Sequence, residues 1–212
     1  THELMQKLMG DKDFSTILQN KGMGLSEETM GKYIDELPLS SIGGNIKPLD
    51  PAALKLSDNQ SVPAIQKYFE ELTLIYSKYG DAFKYGDDLK IFLSALQTEA
   101  PGEFAKLGVQ ANALEKIMQE ANMLEIPKNL LWFHEKEITI LAQSRSELGV
   151  FQNVMKDPIA ALIALQKRVQ TKLAFTDLHT NELKTWLSQN GVVLPQLSSY
   201  FFLGIQPNQP QQ

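Results

Sequence analysis

Apolar side chains recur at steps of three and four residues through most of positions 61 to 191, and this periodicity constrains the fold more than any other feature. In an α-helix such steps place the side chains on one face, where they can pack against a neighbouring helix. The clearest stripe follows Pro101 and consists of Phe104, Leu107, Ala111, Leu114, Met118 and Ala121. It spans about three heptads, which favours one helix of a bundle over an extended coiled coil.

Capping residues, prolines and glycines divide this periodic region into helices. Ser61 is an N-cap candidate, a second helix is expected to start near Asp87-Asp88, and Pro127 and Asp157-Pro158 are expected to open further helices. Gly80 sits where a glycine would end the first of these helices, and the helical spacing of the last segment runs down to Gly191. The sequence therefore predicts an all-α fold, an antiparallel helical bundle of about four long helices with an irregular N-terminal arm.

The remaining segments predict the organisation around that bundle. Residues 1–60 form the N-terminal arm, with short helices and a connector rich in proline and glycine. Residues 61–206 form the bundle domain, with a break in the last helical stretch near positions 175–179, and residues 207–212 form a flexible polar tail. No run of alternating apolar and polar residues predicts a strand, and no repeat has solenoid spacing.

Composition and charge disfavour several functional classes. The absence of cysteine excludes disulfides, thiol nucleophiles and thiolate metal sites. A net charge of -5 without a basic run argues against nucleic acid and anionic membranes as partners. Apolar stretches such as 158–165 are far shorter than the ~20 residues of a membrane span. Because the chain begins Thr1-His2-Glu3, we expect a processed or trimmed N-terminus, from which a signal peptide or anchor can have been removed.

Few residues are candidates for metal binding or catalysis. The histidines are His2, His134 and His179, and none follows a glutamate in the Glu-x-x-His order that di-iron bundles use. Ser144 and Ser146 have neither a nucleophile elbow nor a recognisable aspartate partner. We therefore predict no cofactor, no metal site and no enzymatic activity.

His134 and Arg145 interrupt an otherwise apolar stripe of one predicted helix. Buried polar groups cost free energy unless they are paired, so both must find partners or reach water. The favoured interpretation places both at the edge of the stripe, with Arg145 extending into solvent. The alternative is a ligand-binding pocket between helices, formed by His134, Arg145 and Trp132, in which the imidazole titrates or contacts the ligand.

Two pairs of adjacent acids, Glu70-Glu71 and Asp87-Asp88, are expected on the surface. Neighbouring side chains on a helix diverge, so they do not converge on one proton. These acids are therefore not candidates for acid-base catalysis.

The C-terminal region concentrates aromatic side chains at Tyr200, Phe201 and Phe202, just before the polar tail. Monomers rarely leave a contiguous apolar patch of several hundred Å² in water, so the expected outcome is that this segment packs on its own bundle. The alternative is that these three residues bind a partner, because a few buried rings supply most of the affinity of many interfaces.

Residues 124–130, which lead to His134, and residues 155–165 resemble helix starts in a group of uncharacterised helical proteins from ultra-small, host-attached bacteria of the candidate phyla. With residues 68–83, the resemblance covers about positions 57 to 190. A signal peptide or membrane anchor precedes the similar region in that group. The resemblance thus implies an extracytoplasmic location and a cell-envelope role, and it brings no activity or catalytic residue.

For function we expect a non-enzymatic binding or scaffold domain of the bacterial cell envelope with a protein partner. Fold-level analogy with minor components of pilus and secretion machinery extends this expectation to such assemblies. The alternative is a small-molecule-binding bundle with a pocket near His134 and Arg145. A filled core favours the scaffold, whereas an apolar cavity of a few hundred Å³ with convergent polar groups favours the ligand binder.

Overall fold

The computed structural model describes residues 51–98, 101–154 and 158–194. The predicted all-α bundle with about four long helices is confirmed within these ranges. The helices are α1 (Val62–Tyr79), α2 (Asp88–Thr98), α3 (Pro101–Ala121), α4 (Leu131–Phe151), α5 (Pro158–Asp177) and α6 (Lys184–Gln189). Most of the predicted N-terminal arm and the whole polar tail lie outside the described residues.

Helix α4 occupies the middle of the bundle, because it packs extensively against both α3 and α5. The predicted stripe of α3 faces this core, with Leu107, Leu114 and Ala121 at most 1% exposed. Burying a leucine of this kind stabilises the fold by roughly 2 to 3 kcal/mol relative to leaving it in water. Among the described residues, no helix is long and apolar enough to cross a membrane.

The ends of the helices follow the expected local chemistry at two positions. The Asp87 side chain accepts hydrogen bonds from the backbone N–H groups of Leu89 at 2.9 Å and Lys90 at 3.3 Å, so it caps the start of α2. After α6, Gly191 has a φ of +63°, and the Val192 N–H donates to the Leu187 carbonyl at 3.0 Å. This left-handed glycine reverses the chain and returns Val192 to the core.

A small parallel sheet was not predicted from the sequence. Strand β1 (Lys55–Ser57) pairs with β2 (Glu125–Pro127), with Leu56 opposite Ile126. Three-residue strands are too short to display an alternating pattern. The prediction that Pro127 opens a helix was also wrong: it ends β2, and α4 begins at Leu131 after a 3₁₀ turn.

A π-helical turn, Leu178–Leu183, joins α5 to α6 where the sequence indicated a break. The chain therefore continues as one helical path, with the wider turn of a π-helix in the middle. This local change of pitch keeps Leu178 and Leu183 in the core, whereas Thr180 and Asn181 are exposed.

Candidate functional site

The structure does not bring His134 and Arg145 together. His134 is fully buried, whereas the Arg145 side chain is 51% exposed and its Nε lies 2.5 Å from Glu115 Oε2. The two lie eleven positions apart along α4, which corresponds to about 16 Å of helix. The prediction that both residues lie at the edge of the apolar stripe therefore holds for Arg145 and was wrong for His134.

His134 links three parts of the bundle through both nitrogens of its ring. The Tyr68 hydroxyl on α1 donates to Nδ1 at 3.0 Å, and Nε2 donates to Asn122 Oδ1, just beyond α3, at 3.1 Å. Burial lowers the pKa of His134 to about 4, against a smaller opposing effect of the Glu137 carboxylate. The imidazole is therefore neutral at neutral pH and holds helices together.

One turn further along α4, the buried Glu137 carboxylate makes a second connection. Its Oε1 accepts a hydrogen bond from the Tyr76 hydroxyl on α1, and its Oε2 lies 2.8 Å from His179 Nε2 in the π-helical turn. The π-helical turn is thus anchored to the core by His179. The sequence could not indicate this group, because its members lie 42 and 61 positions from Glu137.

A third polar group is centred on Arg168 of α5, and it was not predicted from the sequence. The guanidinium is 4% exposed, and its Nη2 lies 2.6 Å from Asp88 Oδ2. Its Nη1 donates to Ser144 Oγ at 2.5 Å and lies 3.4 Å from Glu147 Oε2. Arg168 therefore joins α2, α4 and α5 through charged hydrogen bonds in the interior.

The expectation that Asp87-Asp88 is solvated surface was wrong for Asp88, which is buried. Asp87 precedes α2 as its cap, so the divergence expected within a helix does not apply, and both carboxylates reach Lys172. Burial alone would raise the pKa of Asp88, but the charges of Arg168 and Lys172 outweigh it and lower the pKa to about 2. Burial also raises the pKa of the Glu147 carboxyl, which accepts a hydrogen bond from Thr171.

The chain's two tryptophans lie side by side at the surface. Trp132, at the start of α4, and Trp186, on α6, have ring centroids 6.4 Å apart with planes inclined by 51°. They line an open cleft of about 590 Å³, which we call the tryptophan trough. Its other lining residues come from the path of α5, the π-helical turn and α6: Asp177, Asn181, Glu182, Thr185 and Gln189. Of the three residues predicted to bind a ligand, Trp132 is the one that lines this cleft.

A second cleft, of about 250 Å³, lies between the sheet and the start of α1. Its polar groups mostly bond one another: the Ser61 N–H donates to Asn59 Oδ1 at 3.2 Å, and Lys67 lies 3.8 Å from Glu71. The Tyr68 ring also lines this cleft, but its hydroxyl faces His134. The second cleft thus offers fewer groups to a ligand than the tryptophan trough.

Comparison with protein-family models, curated proteins and solved structures found no match to this chain. The resemblance to proteins of ultra-small bacteria therefore stays a prediction. Within the described ranges, no group of three or more Asp, Glu or His side chains is placed to hold a metal ion. The predicted partner-binding residues Tyr200, Phe201 and Phe202 lie outside the described residues.

Proposed function

We propose that this chain is a non-enzymatic binding or scaffold domain of the bacterial cell envelope, and that it contacts a protein partner through the tryptophan trough. The observation that carries this proposal is the pair of half-buried tryptophan rings in an open surface cleft. Tryptophan presents a large apolar surface, and it is enriched among the residues that dominate interface affinity.

The arrangement of the interior supports binding over catalysis. The imidazole of His134 has a pKa of about 4 and uses both nitrogens in contacts with the protein, so it is poorly suited to general acid-base work at neutral pH. The hydroxyl of Ser144 is likewise engaged by Arg168. These polar groups hold helices together instead of converging on a cleft.

A small-molecule binder is the weaker candidate. Pockets for small ligands usually enclose most of the ligand surface. The tryptophan trough is open to solvent, and the buried His134 does not line it. An open cleft of this kind fits a segment of a macromolecule better.

The location in the cell envelope, and any association with pilus or secretion machinery, rest on the sequence resemblance and on fold-level analogy. Fractionation of the source cells tests the location independently of binding. Recovery of the full-length protein in the cytosolic fraction alone would overturn the envelope assignment and leave the binding proposal intact.

Site-specific photo-crosslinking in the source cells tests the binding proposal. A photoreactive side chain at Thr185, which is exposed and lines the tryptophan trough, should give one dominant protein adduct. The matched control is the same side chain at Lys90, which is exposed on α2. Adding Trp186→Ala should remove the adduct. Equal adducts at both positions, or none at Thr185, would contradict the proposal.

A further inference from the structure

We infer that the tryptophan trough takes an extended, basic segment of a polypeptide, with lysine or arginine side chains against its rings and carboxylates. This inference rests on the proposed function and specifies the chemistry of its partner. Charge, an internal example of the same contact, and the dimensions of the cleft support it separately.

The lining of the tryptophan trough is acidic. Among the described residues, its lining includes Asp177 and Glu182 but no lysine or arginine. The Asp177 carboxylate accepts a hydrogen bond from Asn181 Nδ2 at 2.6 Å and forms no ion pair within the described part of the chain. An exposed carboxylate beside aromatic rings attracts cationic side chains, and the net charge of -5 adds to this attraction at longer range.

Lys136 shows that the rim of the tryptophan trough holds an ammonium group. Its Nζ lies 5.8 Å from the centroid of the Trp132 ring and 2.5 Å from Glu182 Oε2. The same two types of group, an aromatic face and a carboxylate, recur at Trp186 and Asp177. No cation of the described residues lies over the Trp186 ring. Lys136 thus occupies one such position, and the rest of the cleft is open to a cation from a partner.

The length of the tryptophan trough favours a chain over a small cation. From Asp177 to Gln189 the helical path advances by at most about 18 Å at ~1.5 Å per residue. An extended peptide of about five residues covers that distance at roughly 3.3 Å per residue. Because the cleft is open to solvent, such a segment can lie along it while the rest of a larger partner stays outside.

Intrinsic fluorescence offers a direct test, because the chain's two tryptophans both line the tryptophan trough. Titration with pentalysine should change the emission in a saturable way, and the affinity should fall as salt screens the charges. Pentaglutamate and the neutral sugar chitopentaose serve as comparison ligands. We expect neither to produce a saturable change.

Three charge variants locate the interaction. Asp177→Asn should weaken pentalysine binding by about two- to five-fold, the range for one exposed ion pair. Asp81→Asn, an exposed acid in the 3₁₀ turn after α1, is the matched control and should leave binding unchanged. Lys136→Met should tighten binding, because it frees the Trp132 face and the Glu182 carboxylate.

Several results would overturn the basic-peptide inference. One is that pentalysine gives no saturable change in fluorescence, and another is that Asp177→Asn and Asp81→Asn change pentalysine affinity equally. The others are that Lys136→Met does not raise this affinity, or that chitopentaose gives a stronger response than pentalysine. The crosslinking experiment shows which of the two proposals fails. If Thr185 gives an adduct but pentalysine does not bind, the partner contacts the tryptophan trough with a different chemistry. If Thr185 gives no adduct, the proposed function itself is wrong.

Discussion

Replacing Arg168 with methionine tests whether the buried ionic group holds the bundle together. Methionine fills much of the same space but leaves Asp88 and Glu147 in the interior without their guanidinium partner. Removing one member of a buried ion pair costs about 3 to 5 kcal/mol. The lowering of the Asp88 pKa from 3.8 to about 2 supports this scale. It corresponds to roughly 2 to 3 kcal/mol of stabilisation at neutral pH.

The pH dependence of the loss distinguishes lost charge pairing from lost packing. Because folding lowers the pKa of Asp88, its stabilising contribution is present above about pH 4 and is lost as the pH falls towards 2. In Arg168→Met the pKa of Asp88 rises, so protonation at low pH relieves the buried charge. The difference in stability between wild type and variant should therefore be largest at pH 7 and should narrow at pH 3.

Urea unfolding followed by circular dichroism at both pH values measures this difference. Arg145→Met is the matched control, because it removes an arginine from the exposed pair with Glu115, and it should cost less than about 1 kcal/mol. Adding Asp88→Leu to Arg168→Met should recover part of the loss. If the two arginine variants cost the same, or the difference does not narrow at pH 3, Arg168 does not act through its buried charge.

Three further predictions concern stability measured by urea unfolding. Folding lowers the pKa of His134 to about 4, so the free energy of unfolding should fall as the pH drops below 6.5. The expected fall is about 2 kcal/mol between pH 7.5 and 5, and it should be absent in His134→Gln. Leu114→Ala should cost about 2 to 5 kcal/mol, whereas Leu74→Ala, at a position 69% exposed, should cost less than about 0.5 kcal/mol; similar losses would refute the α3 register. Gly191→Ala, at a φ of +63°, should destabilise by about 1 kcal/mol, whereas Gly149→Ala, in open space within α4, should stabilise by up to about 1 kcal/mol; the opposite signs check the backbone argument.

The helices and much of their buried face could be predicted from the sequence. The stripe through Leu107, Leu114 and Ala121 is buried as expected, and α2 starts at Asp88 with Asp87 as its cap. These features depend on residues three or four positions apart, which a helix brings onto one face wherever it lies in the fold. Caps are equally local, because a side chain reaches only the first backbone N–H groups after it.

The candidate site could be predicted only in part. The sequence predicts Trp132 in a pocket with His134 and Arg145. In the structure its neighbour in the tryptophan trough is Trp186, 54 positions away. The spacing of three and four residues also placed Arg145 on the same helix face as His134. Spacing alone does not show whether a residue lies at the buried centre of that face or at its exposed edge. The exposed position of Arg145 followed from where α3 packs against α4.

The sequence by itself determined which segments are helical, where several of them begin and end, and which faces are apolar. Tertiary structure decided the rest: the pairing of β1 with β2, the burial of Arg168 against Asp88, the hydrogen bond between Tyr68 and His134, and the assembly of the tryptophan trough. Local patterns arise from backbone geometry over a few residues. In contrast, a charged or aromatic side chain takes its environment from helices that only packing brings together, 80 positions apart in the case of Arg168 and Asp88.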